Sequence, residues 1–268
     1  MARVPNYFSS ITGLGYLFAS DSRYTSLLKK VPQRLLGYAL SGNTRVFFQN
    51  PDDRDLFLHL GLLRDKTHSV IVNGSGVDLE RFAEAPLPPA PVTFLMVARI
   101  QHHKGVGEYI KAARILRRKY SEVRFQLLGP FDDHPSAISP TEFQRLLQDG
   151  SVNFLGGTPD VRPYLAGCHV YVLPSYREGT PLSTLEAMAV GRAVVTTDVP
   201  GCRETVVEGY NGFLVPARDA NCLADAMERF LVSPDLIPLM GRRSHQITEE
   251  KFDVNKVINV MMKTMDLL

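Results

Sequence analysis

The chain has 268 residues, 44% of them hydrophobic and 22% charged, with a formal net charge of +2. That is room for one large domain or one and a half ordinary ones, an apolar share typical of water-soluble globular proteins, and too little positive charge to argue for nucleic acid. No run approaches the ~18–20 apolar residues that span a bilayer, the first residues do not read as a signal peptide, and Cys168, Cys202 and Cys222 stand at no metal-ligand spacing, which points to a reducing, cytoplasmic compartment.

Residues 1–82 do not read as the opening of a complete domain. Ile11-Thr12-Gly13-Leu14-Gly15-Tyr16-Leu17-Phe18 is glycine-rich and apolar. A helix is predicted from about 24 to 40, with Leu27, Leu28, Val31, Leu35 and Leu36 inward, Lys29, Lys30 and Arg34 outward, and a break or restart at Pro32. A strand over 45–49, a helix over 51–60 and a strand over 69–73 follow. Two or three strands with two helices are too few to cover a parallel sheet on both faces. An incomplete α/β unit, loose or covered by self-association, is the expectation. Residues 83–91, with prolines at 86, 88, 89 and 91, read as a stiff extended linker.

Beyond the linker the alternation becomes regular. Strands are predicted at about 92–98, 123–128, 151–155, 168–173, 193–197 and 212–215, and helices at about 105–120, 140–149, 159–166, 181–190 and 219–232. Such alternation implies a parallel, right-handed, doubly wound sheet over 92–250. Two more helices, 234–250 and 253–267, close the chain. Ser233 is placed to cap the first of these, with Pro234 at its first position.

One stretch gathers the chemistry. After the apolar strand Val170-Tyr171-Val172-Leu173 comes Arg177-Glu178-Gly179-Thr180-Pro181, and then a helix in which Leu182, Leu185, Ala189 and Val190 recur at helical spacing before Gly191 stops it. Thr180 reads as its N-cap and Pro181 as its first residue. An acid and a glycine thus sit at the carboxyl end of a strand where a helix N-terminus opens, the usual place for ligands in open α/β sheets and one that attracts phosphate or sugar oxygens. Glu186 follows eight residues after Glu178, among apolar Leu185, Ala187 and Met188, where an unpaired carboxylate costs stability. Arg99 and Lys104, five residues apart in a loop just before a helix, offer a planar fork and a point charge, suited to a diphosphate. Solvated loop cations are the plain alternative.

The Glu178/Glu186 spacing resembles the Glu-x7-Glu signature of the retaining glycosyltransferases of family 4, which have the GT-B fold. Val97-Ala98-Arg99 with His103-Lys104-Gly105, Leu128-Gly129-Pro130, Val152-Asn153-Phe154-Leu155-Gly156, Pro200-Gly201-Cys202-Arg203-Glu204 and Asn211-Gly212-Phe213-Leu214-Val215 match the family's landmarks in order. The resemblance implies a Rossmann-like domain at 92–250 that binds a UDP- or GDP-sugar, and a remnant of an acceptor-binding domain at 1–82. It implies a last helix, within 251–268, that returns to that first unit with Phe252, Val254, Val257, Val260, Met261 and Leu267.

Under that resemblance, Arg99 and Lys104 neutralise the donor diphosphate with no metal, and Glu186 holds the ribose. Glu178 meets the sugar hydroxyls; by chemical type it is also suited to be the retaining nucleophile, although the resemblance favours front-face attack with the leaving phosphate as base. Gly179, Thr180, Pro181 and Leu182 contact sugar and diphosphate, Gly129 and Pro130 floor the cleft, and Gly156 and Thr158 lie against the base. His102 and His103 are either phosphate neighbours or solvated loop residues.

The acceptor implied is a glycan, polyprenyl-diphosphate-linked in the bacterial enzymes that the chain most resembles, and the basic helix around Lys29, Lys30 and Arg34 reads either as a contact with anionic lipid at the inner membrane face or as a domain surface. Asp53-Arg54-Asp55 spells a metal-binding Asp-x-Asp, but it lies in a helix's first turn, where carboxylates suit the dipole. Gly13-x-Gly15 and Gly74-x-Gly76 lack the remaining glycine of a dinucleotide loop. The alternative function is a nucleotide-sugar-binding module without transfer activity. A nicotinamide-binding Rossmann domain would want a glycine fingerprint where Arg99 stands, and a phosphorylase would want a pyridoxal lysine.

Overall fold

A computed structural model describes residues 6–14 and 26–267, the side chains of 26–32 excepted. Gly15, Tyr16, Leu17 and Phe18, the start of the predicted helix at Tyr24, and the side chains of Leu27, Leu28, Lys29, Lys30 and Val31 lie outside the described residues.

The first unit holds β1 (Phe8–Ile11), α1 (Ser26–Ser41), β2 (Arg45–Phe48), α2 (Pro51–His59) and β3 (Ser69–Ile71). The three strands are parallel, in the order β1-β2-β3. Two serines in the middle of β1 interrupt the apolar pattern that marks the other strands. α1 runs through Pro32 without the expected break, and Leu35, expected inward, is 65% exposed. Side chains alternate across a strand, so β2 serves two layers. Val46 and Phe48 join Leu14, Leu40, Phe57, Leu62 and Leu63 on one face. Phe47 joins Val72 and Val257 on the other. Both faces of this small sheet are therefore covered, the second by a helix from the far end of the chain.

The second unit holds β4 (Thr93–Val97), α3 (Val106–Arg117), β5 (Arg124–Leu128), α4 (Pro140–Leu147), β6 (Asn153–Phe154), α5 (Arg162–Ala166), β7 (Val170–Leu173), α6 (Leu182–Ala189), β8 (Ala193–Thr197), β9 (Gly212–Val215), α7 (Ala220–Val232), α8 (Leu236–Ile247) and α9 (Val254–Thr264). Its six strands are parallel, as the alternating pattern predicts, and their order is β6-β5-β4-β7-β8-β9. β7 and β8 are buried along their whole length, as a sheet covered on both faces requires. Ser233 does not cap α8; the flanking residue is Asp235, without a side-chain cap, and the Ser233 carbonyl accepts from Leu236 N–H instead.

The chain passes twice between the units, and the two passages are bonded to each other: Val77 N–H donates to Phe252 O (2.8 Å) and Val254 N–H to Val77 O (3.0 Å). On α9, Val257 packs on the first sheet with Met261 and Met265. Val260 and Leu267, expected there too, face solvent at 46% and 64% exposure, and Phe252 packs in the core of the second unit.

The proline-rich stretch 83–91 is strapped to the second unit. Arg192, fully buried, donates from Nη2 to Ala85 O (3.1 Å), Pro86 O (3.1 Å) and Ala166 O (3.2 Å) and from Nε to Leu165 O (2.9 Å). Ala85 N–H reaches Val190 O (3.2 Å), and Leu87 packs on the core. An apolar replacement would leave these carbonyls without their donor. Arg192→Met is expected to lower unfolding stability by about 2–4 kcal/mol in urea titration, and Arg192→Lys, a single point donor, to recover little of it.

Candidate functional site

Strand order reverses between β4 and β7. From β4 the chain steps outward through β5 and β6, then returns to β7 on β4's other side. The loops leaving the two strands diverge and open a crevice at their carboxyl ends. Tyr171, on β7, ties its floor together by donating toward Val97 O (3.2 Å) and bonding Ser183 Oγ (2.7 Å). The cleft above measures about 400 Å³. Val97, Ala98, Arg99, Lys104, Leu128, Gly129, Pro130, Thr158, Val161, Leu173, Glu178, Gly179, Thr180, Pro181, Leu182, Ser183 and Glu186 line it, and Thr12 closes it from the first unit. The sequence-predicted site is thus one place, with one exception. Gly156 does not line the cleft; its carbonyl stands behind, accepting from Gly129 N–H (2.8 Å).

Lys104 owes its position to a tight turn. Residues 102–104 form a single 3₁₀ turn, and Gly105 adopts φ 76° before α3 begins. A Cβ there would run into the Pro174 carbonyl, so only glycine lets the start of α3 press against the loop after β7. Lys104 Nζ then donates to Glu178 Oε1 at 2.6 Å, with both side chains largely buried. Arg99 turns elsewhere, donating to Asp132 Oδ2 at 3.0 Å while staying half exposed.

Asp132, in the loop after β5, was not singled out in the sequence. Partial burial acts to raise its pKa, but hydrogen bonds from Gln101 and the His134 N–H, together with Arg99, outweigh it and hold the carboxyl below its usual range. His103 bonds Ser136 Oγ beside His134. Burial, reinforced by Lys104, depresses its pKa to about 4, so it stays neutral. His102 lies 3.6 Å from Glu142, and neither histidine lines the cleft.

Across from the cations, α6 begins at Leu182 with Pro181 as its flanking residue and no side-chain cap. Thr180 is not the N-cap that its type predicts, because its hydroxyl donates to Gln49 O (3.1 Å) in the first unit. Glu186, on the second turn of α6, has no hydrogen-bond or ion-pair partner among the described residues. Burial pushes its carboxyl up to about 7, with Arg81 pulling the other way.

A polar junction missed in the sequence grips the loop from the first unit. Gln49, Asn50 and Asp53, all buried, bond the loop at Arg177, Gly179 and Thr180. Asp52 meets Arg203 at 3.3 Å. Asp53, half of the Asp-x-Asp, is engaged by Arg177 and by Asn50 (3.1 Å). Burial still raises its pKa, against both partners. The visible signal was Gln49-Asn50 itself, a polar pair closing an apolar strand just before a Pro-started helix.

Residues 91–233 match the family described as glycosyl transferases group 1, and the chain belongs to that family. It is 28% identical over 279 residues, 99% of its own length and 71% of the other's, to the N,N'-diacetylbacillosaminyl-diphospho-undecaprenol alpha-1,3-N-acetylgalactosaminyltransferase of Campylobacter jejuni. It is 33% identical over 214 residues to the putative colanic acid biosynthesis glycosyltransferase WcaL of Escherichia coli, covering 75% of this chain and 50% of that one. Among solved structures, sucrose-phosphate synthase from Thermosynechococcus elongatus superposes with a TM-score of 0.81 at 22% identity, over 97% of this chain and 67% of the other. Anabaena HepE, crystallised with UDP and glucose, does so at 0.79 and 18%, over 98% and 72%. The fold is an α/β arrangement of parallel sheets of the GT-B type. Apart from the Campylobacter enzyme, the chain spans about half the length of the curated relatives it matches.

Glu186 supplies a pH test. Its folded pKa of about 7 exceeds the ~4.3 of an unfolded glutamate, so between those values the folded chain keeps a proton that the unfolded chain has lost. Stability therefore falls as pH rises through that window. Glu186→Gln is expected to exceed wild type by about 1–2 kcal/mol at pH 8, after discounting for solvent in the cleft, and to match it near pH 4. Denaturant titration at the two pH values checks this; a pH-independent difference would count against an unpaired acid.

Proposed function

We propose that the chain transfers a sugar, with retention of anomeric configuration, from a UDP- or GDP-sugar to a glycan acceptor in cell-surface polysaccharide or glycoconjugate synthesis, as a family 4 enzyme. The observation that carries the reading is the pairing of Arg99 and Lys104 with Glu178 and Glu186 around one cleft at the strand-order reversal.

In this reading Arg99, half exposed and free to swing from Asp132, and Lys104 take the donor diphosphate, supplying the charge that a metal would otherwise bring. Glu186, without a bonded partner among the described residues, accepts from the vicinal ribose hydroxyls. Glu178 leaves Lys104 to meet the sugar hydroxyls. The apolar edge of Gly129, Pro130, Thr158 and Val161 faces the base. The bond from the anomeric carbon to the diphosphate oxygen breaks, the acceptor oxygen bonds the same face of that carbon, and the acceptor proton passes to the departing phosphate. The Campylobacter relative is named for a polyprenyl-diphosphate-linked acceptor. A like acceptor for this chain would bring it to the inner membrane face as a peripheral protein, in keeping with described helices none of which is long and apolar enough to cross a membrane. Nucleotide-sugar binding without transfer is the second reading, favoured by the small three-stranded first sheet.

Arg99→Ala and Lys104→Ala are each expected to weaken UDP or GDP binding by about 1.5–3 kcal/mol in calorimetry, with chelator making no difference. Chelator-abolished binding with both variants intact would reverse the assignment. Glu186→Gln should weaken the bare nucleotide and its sugar conjugate alike, whereas Glu178→Gln should weaken the conjugate alone. A radiolabelled transfer assay to a lipid-linked acceptor, with the product anomer read by NMR, separates transfer from binding and retention from inversion.

A further inference from the structure

The loop that carries Glu178 is not held by its own unit alone. Arg177 Nη2 donates to Asp53 Oδ1, Asn50 Nδ2 donates to Gly179 O at 2.7 Å, Thr180 N–H donates to Gln49 Oε1 at 3.1 Å, and Thr180 Oγ1 donates to Gln49 O at 3.1 Å. These bonds flank Glu178 on both sides. They come from one short segment after β2, in which Gln49 is 5% exposed and Asn50 and Asp53 are 0% exposed. The segment is itself fixed: Asn50 caps α2 by accepting from Asp53 N–H (2.8 Å) and donates to Asp53 Oδ2 (3.1 Å), while Gln49 Nε2 donates to Ser75 Oγ (2.9 Å). Gly179 makes the approach possible, because a Cβ there would strike Thr12 O and crowd the Gln49 carboxamide.

We propose that Gln49, Asn50 and Asp53 are positioning residues that latch the Glu178 loop from the first unit and set its shape for the donor's sugar. The proposal rests on the donor-site reading above. Thr180 N–H stands where α6 begins, a position that in an open α/β sheet faces the ligand anion. Here Gln49 takes it. The latch therefore selects which polar groups the loop offers to the cleft: Glu178 is turned toward Lys104, while Thr180 still lines the cleft but has its N–H and hydroxyl engaged by Gln49. The buried polar atoms of Gln49, Asn50 and Asp53 are all bonded, while Arg177 Nε has no partner among the described residues; a network so nearly satisfied holds one geometry, and loses definition when a member is removed. The placement of the first unit is thereby transmitted most directly to Glu178, at the sugar end of the cleft; of the groups read as holding the nucleotide, Lys104 touches that loop through Glu178, whereas Arg99 and Glu186 make no bond to the latch.

The test uses Gln49→Met, which keeps shape but removes both bonds of the side chain, and Gln49→Glu, which restores an acceptor for Thr180 N–H and one for the Ser75 hydroxyl. Amide exchange read by NMR in the ligand-free chain is expected to quicken at least tenfold at Thr180 in Gln49→Met and to return toward wild type in Gln49→Glu. Calorimetry is run with UDP, UDP-glucose and UDP-N-acetylgalactosamine, and with GDP and GDP-mannose. Gln49→Met is expected to bind the bare nucleotide within twofold of wild type and the preferred conjugate at least fivefold more weakly. Unchanged exchange at Thr180 overturns the latch. Faster exchange with equal effects on nucleotide and conjugate, or with none, overturns its role at the sugar. A wild-type chain that binds none of these nucleotides overturns the donor-site reading while leaving the exchange result to judge the latch.

Discussion

The reversal of strand order between β4 and β7 is the constraint on which the rest of the site depends. In a parallel sheet with helices on both faces, loops at the carboxyl ends ordinarily run side by side and leave no room. Only where the chain winds outward in both directions do neighbouring loops part. Arg99 and Lys104 leave one strand, Glu178 and α6 the other, and Tyr171 spans the floor by bonding Val97 O and Ser183. The chemistry of the cleft follows from where the sheet divides.

Its electrostatics are lopsided in an informative way. Lys104 is matched by Glu178 and Arg99 by Asp132, so each cation is quieted by a carboxylate of its own protein. Glu186 has no bonded partner among the described residues, only the more distant pull of Arg81, and burial raises its pKa to about 7. Paired charges lower the cost of holding cations in a half-enclosed space. The unpaired acid carries a standing cost, and folding offers it no relief. That standing cost is why the donor-site reading proposed above gives Glu186 to a ligand hydroxyl.

Much of this was legible in the residues. Runs such as Val170-Tyr171-Val172-Leu173 and Ala193-Val194-Val195 are apolar because both faces of the sheet are covered, so strand positions and their parallel sense followed from pattern, while the order in the sheet did not. The acid pair and the basic pair came together because β4 and β7 are neighbours whose carboxyl ends flank the same crevice. What escaped was non-local. Thr180 has the right chemistry for a cap, but its hydroxyl finds Gln49, which is 131 positions earlier in the chain, and a local rule has no access to that partner. β1 and Asp132 escaped for like reasons: one needs β2 as a template, and the other is meaningful only beside Arg99. Leu35 and Val260 erred in the opposite sense, as apolar residues given to the interior although an exposed apolar side chain is ordinary.

The paired passages at Val77 and at Phe252–Val254, with the Arg192 strap on the intervening stretch, have a mechanical consequence. A chain that crossed between units through a slack tether would let them translate, separate or swivel freely. Here the stretch expected to be that tether is fastened to one unit, and the two crossings are stitched into a short ribbon. That ribbon and the Gln49 junction both join the two units, so displacing one unit against the other has to break backbone bonds at Val77 and side-chain bonds at Thr180 together.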